Sequence, residues 1–305
     1  MMSKRITFMW MVVLMLGWMS YAQNYAPGTI HVDVRCESKP DYTYLLYLPK
    51  NYDPDRAEKW PVMFIMSPNG GNKNELARYV DGAEYCDWII VMSKQSKNYY
   101  DRSGDAVIAM FEDVSERFPI NEKRCYSSGF SGGSRRAFEL ASLKSDKIIG
   151  IIGAGAGHSG YQIPGRASVY GLAGAICPNR TEIVRTHVQQ VKDRGVFRFH
   201  PGKHGWPDSS YFLEAMVWMN GKYFEKQRRA DEAELTRFSN RLMADIKETK
   251  ETDAPHAYEM CQVLVTIPKA PDVGEAEQIL GDLEKDVSVQ TYRDVIKDIE
   301  KFAVF

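Results

Sequence analysis

Between Thr29 and Phe199 the chain alternates short apolar or β-branched runs with stretches of helical periodicity, and this alternation restricts the folds open to it. Strand signals fall at Thr29 to Cys36, Tyr42 to Leu48, Trp60 to Met66, Trp88 to Met92, Cys125 to Ser127, Ile148 to Ile152, Ser168 to Ala173 and Val196 to Phe199. Helical patterns lie between them at Asn74 to Val80, Ala106 to Phe118, Ser134 to Ser145 and Glu182 to Arg194. Strands joined through helices need crossovers, and these are right-handed, so the expectation is a mainly parallel sheet covered on both faces, with an antiparallel pair at its N-terminal edge.

From Tyr211 the strand runs stop. Tyr211 to Met219 reads as a last helix on the sheet, followed by helices at Lys222 to Lys250, Pro255 to Ile267, Asp272 to Lys285 and Ser288 to Phe302, the last two behind capping residues. The expected division is a leader over residues 1–22, a sheet domain over 23–220 and a helical C-terminal extension over 221–305 that covers the core or mediates protein contacts.

The leader reading rests on Lys4 and Arg5 ahead of an apolar run from Ile6 to Met19 that ends in Ser20-Tyr21-Ala22. This is the pattern of an export signal cleaved before Gln23, and the run is short for a membrane span. Without that segment the 39 basic residues become 37 against 40 acidic, a formal charge of −3. So weak a field argues against nucleic acid as a partner. The mature chain is expected in the periplasm or outside the cell, with no membrane span. Cys36, Cys86, Cys125, Cys177 and Cys261 fit no metal or redox spacing and read mainly as small buried residues with one or two bridges allowed.

Chemistry concentrates at Gly129-Phe130-Ser131-Gly132-Gly133, a GxSxG pattern between a strand and a helix. Such an elbow holds a serine on a strained turn, with the next backbone amide aimed at a developing oxyanion. Ser131 is the candidate nucleophile and the Gly132 amide a candidate donor. A serine nucleophile needs a base, and of the six histidines His204 is favoured, in a Gly/Pro-rich loop after the last strand; His158 and His200 are its rivals. In Met66-Ser67-Pro68-Asn69-Gly70-Gly71 the proline has no N–H, which leaves the Asn69 amide as second oxyanion donor.

Pro61 to Asn72, Phe118 to Gly129 with the elbow, and Gly202-Lys203-His204-Gly205-Trp206-Pro207 together make the stretch from Tyr42 to Met219 resemble the α/β-hydrolase superfamily, in particular secreted esterases related to feruloyl esterases and polyhydroxyalkanoate depolymerases. The resemblance implies an α/β-hydrolase fold and hydrolysis of small-molecule or polysaccharide esters through an acyl-enzyme, with no metal and no organic cofactor. It also implies an aspartate in the loop Val169 to Glu182, where Cys177 stands instead. Glu182 is the tentative acid, with Asn179 as a neutral alternative. A non-catalytic binding protein on the same fold is the competing expectation.

Overall fold

The computed structural model describes residues 25–227 and 231–303, so the expected leader lies outside the described residues. Eight strands form one sheet: β1 (Ile30–Arg35), β2 (Thr43–Tyr47), β3 (Trp60–Met66), β4 (Ile89–Ser93), β5 (Ile120–Phe130), β6 (Ile148–Ala154), β7 (Ser168–Gly174) and β8 (Gly195–His200). Their order is β1-β2-β4-β3-β5-β6-β7-β8. The pairings β1–β2 and β2–β4 are antiparallel and the remaining five are parallel. Every residue of β3, β4 and β7 is buried, as expected where helices cover both faces of a parallel sheet.

Strand β5 is much longer than the Cys125 to Ser127 run suggested. Trp60 and Ile120 already pair, and the Trp60 amide donates to the Pro119 carbonyl at 2.8 Å. Polar Asn121, Glu122 and Lys123 occupy the solvent-facing start of the strand, which hides it from an apolar-run criterion.

Helices α1 (Lys73–Ala77) and α2 (Val80–Cys86) lie between β3 and β4, α3 (Ser103–Arg117) between β4 and β5, and α4 (Gly132–Leu143) between β5 and β6. Helix α5 (Arg180–Arg185) ends sooner than expected and passes into a wide π turn over Thr186–Val191. The single helix expected over Lys222 to Lys250 is two: α6 (Ser209–Lys226), then α7 (Glu232–Thr249). Gln227 turns extended, and the Asp231 side chain accepts from the Glu234 amide, which starts a new helix. The boundary anticipated at residue 220 therefore falls inside α6. Three further helices follow, α8 (Ala254–Val265), α9 (Val273–Leu283) and α10 (Val287–Ala303). None of the described helices is long and apolar enough to cross a membrane.

One hydrophobic cluster joins the sheet to this C-terminal region, with Leu45, Ile90, Tyr126 and Tyr170 in contact through α6 with Phe238, Leu242, Ile246 and Leu264. Burying each of those last four side chains stabilises the fold by roughly 1.5–3 kcal/mol. On the other face α3 and α4 pack Phe111, Phe138 and Leu140 against Phe64 and Ile151. All five cysteines are buried and unpaired, so the bridges that export allowed are not formed. Burial pushes the Cys36 and Cys125 thiols up to about 12, which keeps them protonated and inert.

Candidate active site

The parallel strands end together at one edge of the sheet, where β5 turns sharply into α4 through Ser131. Ser131 has φ 53° and ψ −118°, a strained conformation for a non-glycine residue. Its amide is tied to the Ala154 carbonyl at 2.7 Å, which holds the turn against the end of β6. Gly133 is required here, because a Cβ on it would strike the Met66 carbonyl at the end of β3. A side chain at Gly132 would likewise collide with the Asn98 carboxamide.

His204 reaches this turn from the loop after β8. Its Nε2 lies 2.9 Å from Ser131 Oγ, and its Nδ1 lies 3.1 Å from Cys177 Sγ. Cys177 is fully buried, whereas His204 is open to solvent. The two residues meet because β7 and β8 are neighbours and their following loops are stitched together. Ala175 donates to the His200 carbonyl at 2.9 Å and Ile176 to the Gly202 carbonyl at 3.1 Å. The imidazole also packs on Phe130, with ring centroids 4.8 Å apart, and Trp206 packs on the same ring at 5.2 Å.

The two rival histidines are engaged elsewhere. His158 Nδ1 accepts from the Gly160 amide at 3.1 Å, and buried His200 lies with its Nδ1 3.0 Å from the Pro201 carbonyl oxygen.

Glu182 is not behind His204, which corrects its assignment as the acid. Both of its oxygens accept from Arg135 Nη2 at 3.0 Å, and one also accepts from the Gly157 amide at 3.2 Å. The carboxylate stands at the first turn of α5 and ties the loop after β6 to α4, where a negative charge also suits the helix dipole. Asn179 donates its side-chain N–H to the Gly155 carbonyl at 3.0 Å and is equally remote in role. Among the described residues no carboxylate hydrogen-bonds to the His204 ring, and Cys177 holds that position.

The Gly132 amide is the first of α4, where backbone N–H groups have no partner within the helix. The end of β3 crosses directly over this turn, as the Gly133 to Met66 approach requires, and it carries Ser67, Pro68 and Asn69 past the elbow. The Asn69 amide makes a long bond of 3.3 Å to Ser67 Oγ. Asn98 was missed by sequence reasoning. Its amide donates to the Pro68 carbonyl at 2.8 Å and its side chain lies against Gly132, so it buttresses both donor segments. Phe130 could have been found as the variable residue of the GxSxG pattern, whereas nothing local marks Asn98.

No protein-family model matches the chain, and none of the curated proteins matches it. Solved structures do. An arylesterase superposes with a TM-score of 0.52 at 7% identity, over 68% of this chain and 89% of its own. A hyperthermophilic esterase from the archaeon Pyrobaculum calidifontis gives 0.51 at 10% identity, over 68% and 90%. The fluorophosphonate-binding serine hydrolase FphF of Staphylococcus aureus gives 0.49 at 13% identity, over 64% and 99%. At identities this low the first two superpositions speak for the backbone fold alone. The chain is an α/β-hydrolase-fold protein.

Proposed function

We propose that this protein is an exported serine esterase that cleaves carboxylic esters through an acyl-enzyme on Ser131. The observation that carries the reading is the 2.9 Å contact of His204 Nε2 with Ser131 Oγ on a strained elbow. With Nδ1 protonated, Nε2 accepts the serine proton as Oγ attacks the ester carbonyl, then returns it to the leaving alcohol. Water repeats the cycle on the acyl-serine. The oxyanion is held by the Gly132 amide and by the Asn69 amide, whose long bond to Ser67 Oγ is weak enough to exchange for a charged acceptor.

Cys177 distinguishes this site from one with a carboxylate. A thiol accepts an N–H weakly and can also donate its own S–H, so unlike a carboxylate it neither fixes the Nδ1–H tautomer nor stabilises the imidazolium strongly. The expected enzyme is slow. Its histidine is open to solvent, which suits an ester carried on a large molecule such as a decorated polysaccharide. Export is supported by the pattern of Lys4 to Ala22.

Treating the purified protein with a fluorophosphonate probe and mapping the adduct by mass spectrometry tests the reading. Covalent labelling of Ser131, lost in Ser131→Ala and His204→Ala together with p-nitrophenyl acetate hydrolysis, is the expected result. A folded protein that takes up no label favours a second reading, a ligand-binding protein on the same fold, for which Cys177 in place of a carboxylate behind His204 is the motivating observation.

A further inference from the structure

Cys177 belongs to neither of the two large apolar clusters of the fold. It lies instead with Ala173, Ile183, Val184 and Phe197 in a small third cluster beside β7 and β8. Its backbone is held from both sides: the amide donates to the Gly174 carbonyl at 2.9 Å, and the carbonyl accepts from the Arg180 amide at 3.1 Å. Rotation about χ1 is the freedom left to the sulfur, and packing in the cluster closes it off.

The outer cover of this cluster comes from the far end of the chain. Helix α10 packs on α5, and its Ile296 and Ile299 rest against the cluster. Val289, Tyr292, Ile296 and Ile299 recur at intervals of three and four residues, which sets them on one face of α10, while Asp294, Val295, Lys297 and Asp298 are exposed. Polar contacts fasten the helix as well: Glu300 meets His187 Nε2 at 3.2 Å, and Tyr292 donates to Glu259 of α8.

We propose that Ile296 and Ile299 are positioning residues for the hydrolytic site: by closing the cluster they hold the Cys177 side chain in one rotamer, and the sulfur in turn holds the plane of the His204 ring. This role rests on the serine-esterase reading of Ser131 and His204. A carboxylate would aim the imidazole through a charged hydrogen bond, whereas a thiol bond is weak and depends on where packing places the sulfur. His204 is open to solvent and has the Phe130 ring against it at 4.8 Å, so the 3.1 Å contact with Cys177 Sγ decides its tilt. When α10 loosens, water enters the cluster, competes for the thiol and opens a second rotamer. Fewer molecules then aim Nε2 at Ser131 Oγ. Substrate binding is untouched, so kcat falls and KM does not.

A double-mutant cycle on the full chain, read by p-nitrophenyl acetate hydrolysis, tests this. Ile296→Ala/Ile299→Ala should lower kcat about three- to fivefold at unchanged KM, and should lower it no further in the Cys177→Ala background. The milder Ile296→Val/Ile299→Val should fall between the parent and the alanine variant. Leu242→Ala, cut into the large cluster under α6 and α7, should lose stability in urea yet keep the parent kcat. NMR of the imidazole nitrogens reads the ring without turnover: in Ile296→Ala/Ile299→Ala the His204 Nδ1 signal should move toward its position in Cys177→Ala. Three outcomes overturn the proposal: additive losses in the cycle, a kcat equal to the parent's in the alanine variant, or an unmoved His204 signal. A parent that takes no fluorophosphonate at Ser131 while the His204 signal does move overturns the esterase reading alone.

Discussion

Cys177 Sγ lies 3.1 Å from His204 Nδ1, while Ser131 Oγ lies 2.9 Å from the other ring nitrogen, so a thiol stands where a hydrolytic relay is usually anchored by a carboxylate. Introducing Cys177→Asp should raise kcat on p-nitrophenyl acetate roughly 10- to 1000-fold with little change in KM, since a mispaired histidine costs about 10⁴ in the serine-protease case. The acid limb of the kcat/KM profile should move to higher pH, because a carboxylate favours the imidazolium. Cys177→Ala should lower kcat several-fold. Equal turnover in all three proteins would mean that the group behind His204 contributes nothing.

Glu182 provides the contrasting control. Its pair with Arg135 is about one-third exposed on both sides, 37% and 36%, so Glu182→Gln should cost at most about 1 kcal/mol in chemical denaturation. Hydrolysis should stay within about threefold of the parent. A fall of several orders of magnitude would return Glu182 to the relay by some rearrangement.

The network that fastens α8 and α10 to the sheet predicts a larger loss. Arg198 on β8 pairs with Glu214 of α6 at 3.2 Å and also with Glu259 of α8, and Tyr170 and Tyr292 donate to the same two carboxylates. All three charged side chains are 20% exposed or less. Arg198→Met leaves two largely buried carboxylates without their cation and should cost about 3 kcal/mol. Adding Glu214→Gln should recover part of that in urea denaturation, and additive losses would refute the coupling.

A pH effect on stability is expected from His187, which sits in the wide turn after α5. Burial lowers its pKa, opposed by the hydrogen bond and charge of Glu300 at 3.2 Å. Because the folded value is below the unfolded one near 6.5, the unfolded chain takes up the proton first as pH falls. The stability tied to neutral His187 is present above about pH 6.5 and is lost below it. Urea midpoints at pH 7.5 and 5.5 should therefore differ more for the parent than for His187→Gln.

How far the site was legible varies by residue. Ser131 and the Gly132 amide could be read because an elbow is a local device: five consecutive residues state both the chemistry and the turn that presents it. His204 was accessible through its position in a loop after the last strand. Asn98 left no such trace, since its role comes from packing against Gly132 across 34 positions of chain. Glu182 misled because a carboxylate in the first turn of a helix satisfies the helix dipole whether or not a histidine is near.

The same division holds for the fold. Alternating strand and helix patterns, the apolar runs in β3 and β4, and the helical run after Tyr211 are local and periodic, and the sequence by itself determined a mainly parallel sheet with a helical C-terminal region. Where α6 stops, how long β5 runs, and which side chain meets His204 Nδ1 were decided only in the tertiary structure. Those outcomes depend on which strands become neighbours. The adjacency of β7 and β8, which 20 intervening residues separate along the chain, brings Cys177 rather than Glu182 to the ring.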